Sequence, residues 1–140
     1  MKKIFLLSII FIFQFSISVS KEPKLEKVLS GLNGPWSLSF IDDSSIIITE
    51  KSGNIFLADT RNKSLSEINH NLNILVDGQG GLLEVLYSND NVFVSYSQNR
   101  GKGKSSTSVA RASFNKKELK FKNIFRSKPP INSGYHFGSR

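Results

Sequence analysis

The sequence predicts an all-β chain built from repeated antiparallel meanders, the pattern of a β-propeller. Three observations lead there. No long stretch carries the 3.6-residue period of an amphipathic helix. Short runs rich in Ile, Val, Phe and Ser alternate instead with turn-forming residues. Glycine-marked openings into apolar strands recur at Gly34-Pro35, Gly80-Gly81 and Gly138; counted from Pro35 to Gln79 to His136, the steps are 44 and 57 residues. The first step falls within the roughly 40 to 50 residues of a propeller blade, and the second has room for the polar loop "QNRGKGKSS". A β-sandwich also places a strand every 8 to 12 residues or so, and spacing alone leaves that architecture open.

Taken in order, the predicted strands are "WSLSF" (36–40), "SIIITE" (45–50), "NIFLAD" (54–59), "LNILV" (72–76), "GLLEVLY" (81–87), "NVFVSYS" (91–97), "TSVARASF" (107–114) and "ELKFKNIF" (118–125). The segments "DDS", "KSG", "SND" and "NKK" between them are hairpin-type turns. The first group reads as three strands joined by two tight turns, and the second as a four-strand meander. In a propeller, the segments that open the innermost strands gather around one end of the central channel. Trp36, Gln79 and His136 are therefore expected to converge.

The first twenty residues, "MKKIFLLSIIFIFQFSISVS", precede this pattern and have another character. Lys2 and Lys3 form a positive start, the run from Ile4 to Phe13 is apolar, and Ser18-Val19-Ser20 is a small-x-small cleavage pattern. The apolar run is well short of the roughly 20 residues a spanning helix needs. The expectation is a cleaved signal at 1–20, a mature domain at 21–140, export to the periplasm or beyond, and no stable membrane span afterwards. The chain has no cysteine, which removes thiol nucleophiles and thiolate metal sites from consideration.

The net charge of +8 falls to +6 without Lys2 and Lys3, because seventeen Lys and Arg then face eleven acids. Residues 100–140 hold eleven of the basic residues and one acid, Glu118, with Phe114, Phe121 and Phe125 among them. That mixture raises a nucleic-acid reading. In "KKELKFKNIF", however, Leu119 and Phe121 alternate with Lys120 and Lys122, which describes a strand with one buried and one solvated face. No nucleic-acid partner is expected; attraction to anionic surfaces is the milder consequence.

Two stretches hold candidate chemistry. In "VDGQGGLLEV", Gly78, Gly80 and Gly81 crowd Gln79, so the backbone must turn tightly or let another group approach. No phosphate-loop pattern is present. A plain turn before a buried strand and an amide offered to a hydroxyl-rich ligand both fit. His136, in "SGYHFGSR", has no evident acid or metal partner nearby in sequence, and a structural and a chemical role are both open. His70, in "SEINHNLN", reads as a solvent-exposed loop residue.

"LNGPWSLSF", "IIITEKSGNIFLAD", "GQGGLLEV", "VFVSYS", "TSVARASF" and "YHFGSR", in this order and spacing over nearly all of 27–140, resemble the N-terminal part of the soluble PQQ-dependent sugar dehydrogenases. Within the glucose/sorbosone dehydrogenase family, they are most similar to the aldose sugar dehydrogenase branch. The resemblance implies a six-bladed β-propeller in the full-length protein, of which this chain supplies about two four-stranded blades and the start of the third. It implies pyrroloquinoline quinone (PQQ) at the channel mouth and calcium as its activator. His136 stands at the position of the catalytic base, and an imidazole, which exchanges its proton near neutral pH, suits that task. Gln79 matches the glutamine beside the substrate. Tyr135 replaces the aspartate found in the glucose-oxidising branch, which fits the broader aldose branch and makes it a second substrate-side candidate. Arg140 matches the end of the motif.

The residues that clamp the cofactor and calcium belong, by the same resemblance, to later blades, so no metal ligand is assigned in this chain. The expectation is an N-terminal portion, inactive alone, of an exported enzyme that oxidises aldoses to lactones and passes electrons to a periplasmic acceptor. The alternatives are a non-catalytic exported propeller that binds a ligand or protein, and a complete small β protein that pairs with itself.

Overall fold

The computed structural model describes residues 22–138. The expected signal segment at 1–20 lies outside them, as does Arg140. All regular structure within them is strand, in chain order β1 (Pro35–Phe40), β2 (Ser45–Glu50), β3 (Ile55–Asp59), β4 (Ser64–Glu67), β5 (Asn69–His70), β6 (Leu82–Ser88), β7 (Asn91–Asn99), β8 (Ser105–Ser113), β9 (Glu118–Leu119) and β10 (Lys122–Arg126). Among the described residues, no helix is long and apolar enough to cross a membrane.

Two antiparallel four-stranded sheets, ordered β1-β2-β3-β4 and β6-β7-β8-β10, form two successive propeller blades. In the first, β2 carries three consecutive isoleucines and is buried on both faces, hence its unbroken apolar run. In the second, β7 alternates from Asn91 to Tyr96, with Val92, Val94 and Tyr96 inward, and the buried Ser97 breaks the pattern. The turns match their residues. Asp42 caps the β1–β2 turn by accepting from the Ser44 and Ser45 amides at 2.8 and 2.7 Å. Those backbone donors, Ser44 first, hold its carboxyl at about 2, below the ordinary 3.8. Asn89 and Asp90 both take positive φ, 48° and 57°, as a two-residue type I′ hairpin requires.

The main core lies between the blades, where Ile47, Ile55, Leu82, Val85, Val94 and Tyr96 are fully buried. Each such large apolar side chain contributes roughly 1.5–3 kcal/mol on leaving water. The seam also has polar stitches. Thr49 Oγ1 donates to Leu83 O at 2.6 Å, and Leu82 N donates to Lys51 O at 3.1 Å. The amides of Val85 and Tyr87 donate to the hydroxyls of Ser37 and Ser39 at 3.3 and 2.9 Å.

Four details differ from the sequence reading. The first blade has a fourth strand, β4, whose "SLSE" is mostly exposed because it forms the outer edge. The expected strand at 72–76 is a crossover with a single bridge, Ile74 to Gln98; Leu72 and Ile74 rest against the core while the chain passes to the second blade. The expected strand at 118–125 divides: β9 pairs in parallel with β5, and β10 pairs with β8. Between them the Asn71 side chain stands in for a strand, accepting from Phe121 N at 2.8 Å and donating to Phe121 O at 3.2 Å. The inward Leu119 and Phe121 and outward Lys120 and Lys122 survive that division.

His70 is the fourth. It is half-buried, with Nδ1 accepting from Leu72 N at 3.2 Å and Nε2 2.6 Å from Gly53 O. An Nδ1 that accepts leaves the proton on Nε2, which donates to the carbonyl. The ring ties the β2–β3 turn to the crossover.

Candidate functional site

The three residues expected to converge do so. Trp36, Gln79 and His136, with Phe137 and Gly138, line one concavity of about 340 Å³ at the end of the blades where β1 and β6 begin. None of these lining residues is acidic.

Glycine makes the meeting possible. Gly78 has φ 53°, and a Cβ there would lie 2.4 Å from Gly134 O, so the two backbones touch directly. The group that approaches the glycine-rich loop is therefore the chain segment carrying His136. Gln79 N donates to Gly134 O at 2.7 Å, and His136 N donates to Gln79 Oε1 at 3.1 Å. One glutamine thus binds the histidine segment through its backbone and its side chain, across 57 residues of sequence.

Two further contacts fix His136 in place. Phe137, 5% exposed, is buried where a Cβ on Gly80 would come within 2.8 Å of its ring. Its carbonyl accepts from Thr107 Oγ1 at 2.9 Å, which ties the segment to β8. His136 itself has φ 63°, a left-handed conformation uncommon for a residue with a side chain, and stays exposed. The histidine is held by backbone on both sides while its ring faces solvent.

Tyr135 stands beside this arrangement. It is 61% exposed, its ring lies 6.4 Å from that of His136 at a 50° tilt, and it is absent from the concavity lining. Two positioning residues escaped the sequence reading. Lys51 Nζ donates to Gly78 O from the β2–β3 turn, and Thr107 acts as described. "KSG" announced only a turn, and Thr107 only a strand. No local signal separates either from its structural neighbours.

The fold and the concavity together define a class: a blade-built propeller in which side chains from the starts of β1 and β6 and from the segment after β10 gather at one end of the blades. Residues 32–140 match the Glucose / Sorbosone dehydrogenase family, and the chain belongs to it. Aldose sugar dehydrogenase YliI of Escherichia coli (strain K12) is 28% identical over 125 residues, which cover 83% of this chain. A solved glucose dehydrogenase superposes with a TM-score of 0.78 at 34% identity, over 84% of this chain and 37% of its own length. The PQQ-bound aldose sugar dehydrogenase of Streptomyces coelicolor shares the fold, with a TM-score of 0.65 at 20% identity over 75% of this chain and 34% of its own. The chain spans 34% of the length of the Escherichia coli relative.

Proposed function

We propose that the protein carrying this sequence oxidises aldose sugars to lactones with PQQ as cofactor, His136 acting as general base and Gln79 as a substrate-side amide. The observation that carries the reading is the hydrogen bond from His136 N to Gln79 Oε1, which brings the imidazole and the amide to one concavity. PQQ bound there would supply the two-electron acceptor that protein side chains lack. The lining residues fit such a group on one wall: a polycarboxylate quinone meets aromatic, amide and imidazole groups there and no carboxylate. The Streptomyces coelicolor protein, of the same fold, is PQQ-bound.

The chain's own part is proton handling and orientation. The exposed His136 ring takes the anomeric hydroxyl proton while the C1 hydride leaves for the acceptor, and C1 becomes the lactone carbonyl. The contacts described above hold the main chain at His136 and do not use its ring nitrogens. The amide nitrogen of Gln79 remains to donate to a sugar oxygen, since its Oε1 already accepts from His136. Tyr135, outside the lining but with its ring 6.4 Å from that of His136, is kept as a second substrate-side candidate. Calcium enters this reading through the family resemblance alone; among the described residues no three of His, Cys, Asp and Glu gather to hold a metal ion.

The signal-like pattern at 1–20 supports export, with a periplasmic or secreted protein and a periplasmic electron acceptor; N-terminal sequencing of the protein recovered outside the cytoplasm checks it. For activity, the test is aldose-dependent dye reduction by the full-length protein supplied with PQQ and calcium. We expect turnover, and a His136→Gln loss of about 10²- to 10⁴-fold in kcat, the range of a general base. Sugar binding without turnover would favour a non-catalytic propeller. Turnover untouched by the substitution would remove His136 from the mechanism.

A further inference from the structure

We infer that Trp36 is the aromatic platform of the sugar site, turned into it by a β-bulge, and that it sets affinity for the C–H face of a pyranose ring. This rests on the sugar-oxidising reading above. In the β1–β2 ladder Pro35 faces Glu50 and Ser37 faces Thr49, so two steps along β1 match one along β2. Trp36 is the extra residue. Side chains alternate along a strand, and without the slip Trp36 would join Leu38 and Phe40 on one face. Instead Pro35 shares an apolar hollow with Leu38 and Phe40, and Trp36 lines the concavity with Gln79 and His136.

β-bulges are over-represented at sheet edges and next to active sites, where they re-aim a side chain. The residue it re-aims is the chain's only tryptophan, and 41% of its surface remains open. The lining then suits an amphiphilic ring. An indole offers an apolar face to sugar C–H groups, while the neighbouring amide and imidazole take hydroxyls. Trp36 makes no bond in the reaction; it is a specificity residue, acting through substrate affinity.

The test compares Trp36→Leu and Trp36→Phe in the full-length protein, with PQQ-free and PQQ-loaded samples of each. An aromatic contact of this kind is worth about two- to tenfold in affinity. Trp36→Leu is expected to raise KM for aldoses by that factor with little change in kcat, and Trp36→Phe to restore most of the loss. In PQQ-free protein, the fluorescence difference between wild type and Trp36→Phe isolates this indole, and it is expected to shift or quench as glucose is added. Normal turnover with an unchanged KM in Trp36→Leu and a flat fluorescence difference overturns the platform assignment alone. Absence of turnover on any aldose, with no glucose-dependent fluorescence, overturns the sugar-oxidising reading and the assignment with it.

Discussion

Replacing Gly78 by alanine should dismantle the site without touching any side chain that faces substrate. The new Cβ would sit 2.4 Å from Gly134 O and 3.0 Å from Gly134 C and Cα, about 1 Å short of ordinary contact at the oxygen. Relief requires the two backbones to part by that amount, which stretches the 2.7 Å bond from Gln79 N to Gly134 O beyond hydrogen-bond reach. Two costs add: about 1–2 kcal/mol for a Cβ at φ 53°, and about 1–3 kcal/mol for overpacking. Gly101→Ala separates them. Gly101 also has a positive φ, 77°, but nothing lies within 4 Å of its Cβ position, so it carries the first cost alone. Urea unfolding should place Gly78→Ala below Gly101→Ala in stability, and hydrogen exchange should show the Gln79 amide deprotected only in Gly78→Ala. Because a displacement of about 1 Å at a positioned catalytic group can cost roughly 10²-fold, aldose oxidation should fall by that order in the same variant. Equal stability of the two variants, with the Gln79 amide still protected, would refute the direct backbone contact.

Three other outcomes are expected. Thr107→Val keeps the side-chain volume but removes the bond to Phe137 O, which should cost about 1 kcal/mol and lower kcat several-fold, read by thermal unfolding and steady-state kinetics. His70→Ala loses the links to Gly53 O and Leu72 N; we expect about 1–3 kcal/mol lower stability with kcat unchanged, since the ring lies outside the concavity lining. Asp42, whose folded value of about 2 lies below the ordinary 3.8, stabilises its turn above 3.8 and loses that contribution as pH falls towards 2. Asp42→Ala should therefore flatten the acid limb of a stability-versus-pH curve in that window, and an unchanged slope would contradict the assignment.

Legibility in the sequence followed the physics of burial. Strand β2 was read to the residue because three isoleucines and a polar turn on each side leave few other readings. Strand β4 was missed because an outer edge buries little and so needs no apolar alternation; its "SLSE" resembles a loop. The run at 72–76 misled in the opposite direction, since Leu72 and Ile74 pack against the core from a crossover. For the site, blade spacing foresaw the meeting of Trp36, Gln79 and His136, but the contacts that secure it are not local. The partners of Gln79 lie more than fifty residues away, and the slip that turns Trp36 is visible only in the pairing of β1 with β2.

The serine hydroxyls along the seam have a consequence for solubility. β1 and β6 are the end strands of their sheets, and among the described residues the backbone on their open sides has no ladder partner. Such an edge can recruit a foreign strand and seed aggregates. Ser37 and Ser39 receive the Val85 and Tyr87 amides, so the rim of β6 that meets β1 is capped by side chains that cannot propagate a sheet. Two small hydroxyls thereby let neighbouring blades touch at their rims while remaining separate sheets, and they blunt a template for self-association.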